Sequence, residues 1–287
     1  MVEPSSLQNQ VCLVTGATAG LGKAAAVQLA QRGATVVIVA RTQAKGDAAV
    51  AEIKAKTDSA AVSALTGDLS SLAAVRRVAA QFREQHDRLH VLINNAAVFK
   101  QQRILTGEGL ELMFATNHLA PFLLTNLLLD MLQAGTPSTI ITVSAPSTSK
   151  LSFDDLQGVR SFSALNAFGA SKAANLLFTC ALARRLAGKR VTANAYHPGI
   201  VRTSLMREAP APMRLLLSLF SFMAQPPEKA AEGLVWLAET QAGGANGQLF
   251  RGQKPMATSD YVRDEAVQEH LWAESARLAG SGEEDAG

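Results

Sequence analysis

The chain has 287 residues, 48% hydrophobic and 18% charged, with a formal net charge of +3. That balance excludes a disordered chain, and no Lys/Arg cluster offers a nucleic-acid face. Cys12 and Cys180 lie in apolar runs, which suits core thiols in a reducing compartment, so a cytoplasmic location is expected. The first ten residues contain no apolar signal region, and the apolar stretch Met213–Ala224 is far short of the roughly 20 residues that span a bilayer.

Short apolar runs alternate with helical patterns along the whole chain. Val11–Thr15 reads as a strand, Leu21–Gln31 as an Ala-rich helix, and Thr35–Ala40 as a β-branched strand. Ala48–Lys56 is helical, Ala61–Leu65 a strand, Leu72–Gln85 a helix, and Leu89–Ile93 a strand. A long helix is expected over Gly109–Met131, then a strand at Thr139–Val143, a helix at Ala164–Leu186 and a strand at Arg190–Ala195. Pro227–Glu239 predicts a helix and Gly247–Phe250 the last strand. The expectation is one α/β domain over 1–287, a doubly wound parallel sheet of about seven strands with helices on both faces. The small, acidic end, 280–287, is expected to be a flexible tail.

The first strand runs into Thr15-Gly16-Ala17-Thr18-Ala19-Gly20-Leu21-Gly22 and then into a helix. Strand, glycine turn and helix in succession form a dinucleotide-binding unit of the Rossmann type. Gly16 allows the tight turn, Gly20 lets backbone approach a pyrophosphate, and Gly22 permits close helix packing. Thr18, Ala19 and Leu21 share the turn, and the helix N-terminus presents free N–H groups to the phosphates. The second strand ends at Arg41 with no acid, which favours a 2′-phosphate and hence NADP(H) over NAD(H). The alternative is an Arg41 that merely caps a solvated strand end.

Further motifs make the chain resemble the short-chain dehydrogenase/reductase family, most of all its retinol dehydrogenase-like branch. They are the glycine turn, Gly67-Asp68-Leu69, Asn94-Asn95-Ala96, Asn117, Ser171-Lys172 and His197-Pro198-Gly199, together with Lys172–Thr179, Ala183–Leu186 and Leu271-Trp272. The resemblance implies that Asp68 and Leu69 approach the adenine and that Asn95 and Ala96 line the cofactor cleft. It gives Lys172 the nicotinamide ribose, and Pro198, Gly199 and Thr203 the carboxamide and phosphate side. It also implies a homodimer or homotetramer formed through the helices around Gly109–Met131 and Ala164–Leu186.

By the same resemblance, the chemistry rests on a Tyr four residues before the Lys, which shuttles the substrate proton, and on a Ser that holds the substrate oxygen. Residues four apart share a helix face, so phenol and ammonium point into one cleft. Here the Tyr position is Phe168 and the Ser position is Ala145, while Asn117 and Lys172 remain. Ser144, one place earlier, is the alternative hydroxyl; Tyr196 and Tyr261 are the chain's only tyrosines. His118, His197, Asp154 and Asp155 are weaker candidates for proton transfer, against core or turn roles.

The expected function is an atypical NADP(H)-dependent oxidoreductase acting on a small hydrophobic substrate, with an apolar flap over 204–226. The alternatives are a repurposed non-redox enzyme (isomerase, cyclase or lyase) or a non-catalytic dinucleotide sensor.

Overall fold

The computed structural model describes residues 7–147, 149–201 and 224–280. Thr203, most of the expected flap (204–223) and the tail beyond Gly280 lie outside the described residues.

The parallel strands are β1 (Val11–Thr15), β2 (Thr35–Ala40), β3 (Val62–Thr66), β4 (Val91–Asn94), β5 (Ser138–Val143), β6 (Val191–Tyr196) and β7 (Leu249–Arg251). An eighth, β8 (Lys254–Met256), returns antiparallel beside β7, and the sheet order is β3-β2-β1-β4-β5-β6-β7-β8. The doubly wound sheet of about seven strands is as expected, with β8 added as an antiparallel border. Its three residues include Pro255, too little β pattern to stand out in a sequence.

The central strands β1, β2 and β4 read as nearly continuous apolar runs because both sheet faces are covered there. Successive side chains point to opposite faces, so Leu13 joins a core with Leu92, Phe122 and Phe178, while Val14 joins another with Ile38, Ile93 and Leu234. Helices α1 (Gly20–Gln31) and α2 (Gln43–Thr57) lie on the Val14 side, and α3 (Leu72–Gln85) on the Leu13 side. The chain goes outward from β1 to β2 and β3, then crosses back to β4 on the other flank of β1. That reversal opens a crevice between the carboxyl ends of β1 and β4, where α/β sheets bind their ligands.

The expected helix over Gly109–Met131 is not continuous. It comprises α4 (Leu112–Phe114), a π turn (Ala115–Leu119), α5 (Ala120–Leu127) and α6 (Leu129–Ala134). Pro121 accounts for the π turn, because it has no N–H to return to the Asn117 carbonyl four residues earlier, while Leu128, with φ −110° and ψ 11°, separates α5 from α6. Next come α7 (Ala164–Arg185), α8 (Pro227–Thr240), the short α9 (Asp260–Arg263) and α10 (Glu265–Ala279).

Helix α10 lies across α5 and α7. Trp272 stands 5.0 Å from Phe122 and 5.8 Å from Phe178, ring centre to ring centre, with Arg185 stacked 3.8 Å above it. Arg184 and Arg185 both pair with Glu269. Some of the surface of α5 and α7 is thus covered by the chain's own C-terminal helix. None of the helices among the described residues is long and apolar enough to cross a membrane.

Candidate active site

The glycine turn adopts the geometry its residues require. Gly16 has φ +64° and Gly20 φ +55°, the left-handed region that glycine enters freely. A Cβ on Gly16 would stand 2.7 Å from Ala96 Cα, and one on Gly22 would stand 2.5 Å from Asn95 Nδ2 and 2.6 Å from Gly16 O. Asn95 fastens this crowding, since its side-chain amide donates to the Thr15 carbonyl at 2.9 Å and the Gly16 carbonyl at 3.1 Å. The Thr15 hydroxyl accepts the Asn95 and Ala96 N–H groups at 2.9 and 3.1 Å. Asn95 and Ala96 thereby brace the turn from behind.

The start of α1 contrasts with the starts of its neighbours. Thr42 caps α2 and Ser71 caps α3 through their hydroxyls, and Glu108 also accepts the Leu72 and Ala73 N–H groups. At α1 the cap position is Ala19, which has no side-chain acceptor, and the first turn holds no acid. Its N–H groups and dipole are left for an anion. The uncapped helix start and a turn too close to Asn95 and Gly16 for any side chain at Gly22 fit a dinucleotide pyrophosphate.

Arg41 follows β2 and faces Asp68 at 3.7 Å, with the two side chains 61% and 47% exposed. Asp68 also accepts from the Ser70 backbone and hydroxyl at 3.0 and 2.9 Å, which fixes its carboxylate at the cleft edge. Leu69 is buried in the core below.

Lys172 sits on α7 and is 6% exposed. Its Nζ donates to the Val143 carbonyl at 3.3 Å and stands 5.5 Å from the centre of the Phe168 ring, one helical turn away. Burial pulls its ammonium down to about 8. Phe168 packs edge-on against Phe99 at 5.6 Å, within a cluster that includes Val98, Met113 and Phe162. The Phe168 position faces an apolar wall, and Ala145, just past β5, adds no hydroxyl to it.

The alternative hydroxyl, Ser144, is already engaged. It is 2% exposed, its Oγ donates to the Lys172 carbonyl at 2.8 Å, and its N–H donates to Tyr196 O. It ties β5 to α7. Ser147 is a hydroxyl that motif reasoning passes over. Its Oγ donates to the Gly169 carbonyl at 2.9 Å, beside Phe168, and Ser149 Oγ also crowds Gly169. The one signal in the sequence is the density of hydroxyls from Ser144 to Ser149.

Asn117 is buried in the π turn. Its Oδ1 accepts the Val98 N–H at 2.8 Å, and its Nδ2 donates to the Val98 carbonyl and to Ser171 Oγ at 3.0 and 3.1 Å. It therefore pins the loop after β4 to α7. Pro198 and Gly199 (φ +72°) follow β6, and the Gln225 side chain donates to the Pro198 carbonyl.

Two of the other proton-transfer candidates, His118 and Asp155, are engaged in structural hydrogen bonds. His118 is wholly buried between Asn175 and Ser275. Asp155 holds the Val159, Arg160 and Ser161 N–H groups of its own loop. Asp154 is exposed in that loop. His197 is half-buried beside Arg251, and burial first, then that charge, holds its imidazole below the usual histidine range.

Comparison with known proteins agrees with this arrangement. The family described as short chain dehydrogenase matches residues 10–214. Retinol dehydrogenase 13 of Homo sapiens is 39% identical over 285 residues, covering 96% of this chain and 86% of that protein. A solved structure of a putative uncharacterized protein from Mycobacterium Paratuberculosis superposes with a TM-score of 0.78 at 31% identity, covering 96% of this chain and 95% of that one. A 3-ketoacyl-(acyl-carrier-protein) reductase from Brucella melitensis, solved with NADH, has a TM-score of 0.68 at 25% identity, covering 86% and 97%. With its switch-point crevice, uncapped glycine turn and buried Lys172, the chain belongs to the short-chain dehydrogenase family of oxidoreductases.

Proposed function

We propose that this oxidoreductase uses NADP(H) on a small hydrophobic substrate and delivers the proton by a route other than the family's Tyr–Ser pair. One observation carries the proposal: the buried Lys172 Nζ stands 5.5 Å from the centre of the Phe168 ring, which occupies the position where the resemblance calls for a phenol. The cofactor, when bound, supplies or accepts a hydride. Lys172 Nζ would hold its ribose, Asn95 and Ala96 would keep the turn in shape for its pyrophosphate, and Pro198 and Gly199 would flank its carboxamide. The wall of Phe99, Phe168 and Phe162 excludes water and suits an apolar substrate.

The preference for NADP(H) rests on Arg41 at the end of β2, where no acid stands to meet a ribose 2′-hydroxyl. Its ion pair with Asp68 is mostly exposed, so it holds Arg41 across the adenine end at little cost to exchange partners. Fluorescence titration with NADPH and NADH tests the proposal. Tighter NADPH binding, lost in Arg41→Ala, is expected; equal affinities would remove the Arg41 argument.

A second reading, a dinucleotide sensor or a non-redox enzyme, is favoured by the absence of both hydroxyls at Phe168 and Ala145. It predicts binding with no oxidation of NADPH by any ketone, enone or imine in a broad panel. A cytoplasmic location belongs to the same proposal and is checked by cell fractionation.

A further inference from the structure

Buried polar groups of the π turn, α7 and α10 form a single chain that ends at the site. Ser275 Oγ lies 2.8 Å from His118 Nε2, His118 Nδ1 lies 3.3 Å from Asn175 Oδ1, and Asn175 Nδ2 donates to the Asn117 carbonyl at 2.9 Å. All four residues are at most 1% exposed. The Asn117 carbonyl is the one to which Pro121 returns no N–H, so the amide of Asn175 takes a role the helix backbone leaves open.

Each hydrogen in this chain has one possible place. Asn175 turns its NH₂ to the carbonyl, so its oxygen faces His118 and Nδ1 must carry the proton. Nε2 is then bare and accepts the Ser275 hydroxyl. The imidazole, pushed down to about 4 by burial, stays neutral and keeps that tautomer. Beyond Asn117 the order continues into the cleft, through Val98 on one side and on the other through Ser171, whose hydroxyl donates to the Phe168 carbonyl at 2.7 Å.

We propose that His118, Asn175 and Ser275 are positioning residues, a buried relay by which the C-terminal helix α10 fixes the Asn117 turn, and with it the Val98 loop, for binding at the cleft. The cofactor arm of the test rests on the function proposed above; the exchange arm does not.

The test compares Ser275→Ala and Asn175→Leu with Ile53→Val, a core change on the opposite sheet face, with denaturant adjusted to equal global stability. Amide exchange of Val98 is followed in the cofactor-free chain. Losing one link of a buried hydrogen-bonded chain should speed Val98 exchange about tenfold in the first two variants and leave the control at the wild-type rate. Imidazole ¹⁵N spectra should show the Nδ1–H tautomer at His118. The NADPH dissociation constant should rise about tenfold in both relay variants and stay put in the control. Val98 exchange at the control's rate, or an Nε2–H tautomer, overturns the relay. A wild-type chain that binds no NADPH sinks the cofactor proposal instead, while Val98 exchange still decides the relay.

Discussion

Lys172→Met replaces a buried ammonium with an apolar chain of similar length and should stabilise the fold at neutral pH while it weakens dinucleotide binding. Lys172 ionises near 8 in the folded chain, against an ordinary value of 10.5. Each unit is worth about 1.4 kcal/mol, so keeping the charge costs about 3.4 kcal/mol when both states are protonated. The folded pKa is the lower one, so the unfolded chain holds more protons between pH 8 and 10.5, and this cost lifts as pH rises. At pH 10 about 2.5 kcal/mol of it is gone. The bond from Nζ to Val143 O, at 3.3 Å, offsets about 1 kcal/mol. Lys172→Met should therefore be about 2 kcal/mol more stable than wild type at pH 7 and nearly equal to it at pH 10. Urea unfolding of both proteins at the two pH values reads the difference directly. A variant less stable at pH 7, or a gap that does not change with pH, would show that the ammonium is not penalised by its surroundings.

The double change Phe168→Tyr with Ala145→Ser should raise ketone reduction by about 10²-fold or more, measured as NADPH oxidation with hydrophobic ketones, because it supplies a positioned acid beside Lys172; no gain with intact NADPH binding would refute that account of the two positions. Gly22→Ala places a methyl against Asn95 and Gly16 O and should weaken NADPH binding at least tenfold by titration. For His118 the folded pKa is again depressed, so its contribution is present above pH 6.5 and is lost as pH falls towards about 4. Over that range the wild type should lose about 3 kcal/mol more stability than a His118→Phe variant that folds, followed by circular dichroism.

The strand runs and the glycine turn were legible because both faces of the sheet are buried and because Gly16 and Gly22 have no room for a side chain. What escaped depends on partners distant in sequence. The π turn follows from Pro121, four residues past Asn117, and that spacing was the available clue to a broken helix. His118 beside Asn117 drew attention as a proton donor, yet its partners come from α7 and α10, and their placement is a matter of tertiary packing. Ser144 matched the pattern of a catalytic hydroxyl within one residue, but strand alternation turns it towards the backbone of Lys172. The helices expected to meet a second subunit gave no sign that Trp272 would lie on them.

The antiparallel β8 has a consequence for how the molecule meets others of its kind. A parallel sheet that ended at β7 would show a row of open backbone groups able to recruit a strand from a neighbour. Here the border is a three-residue hairpin arm whose central member, Pro255, lies opposite Phe250 and has no N–H to give, with exposed Lys254 and Arg251 at its tip. A ribbon that short, proline-blocked and positively charged makes a poor template. On this border, addition of a neighbour's strand to the sheet is disfavoured.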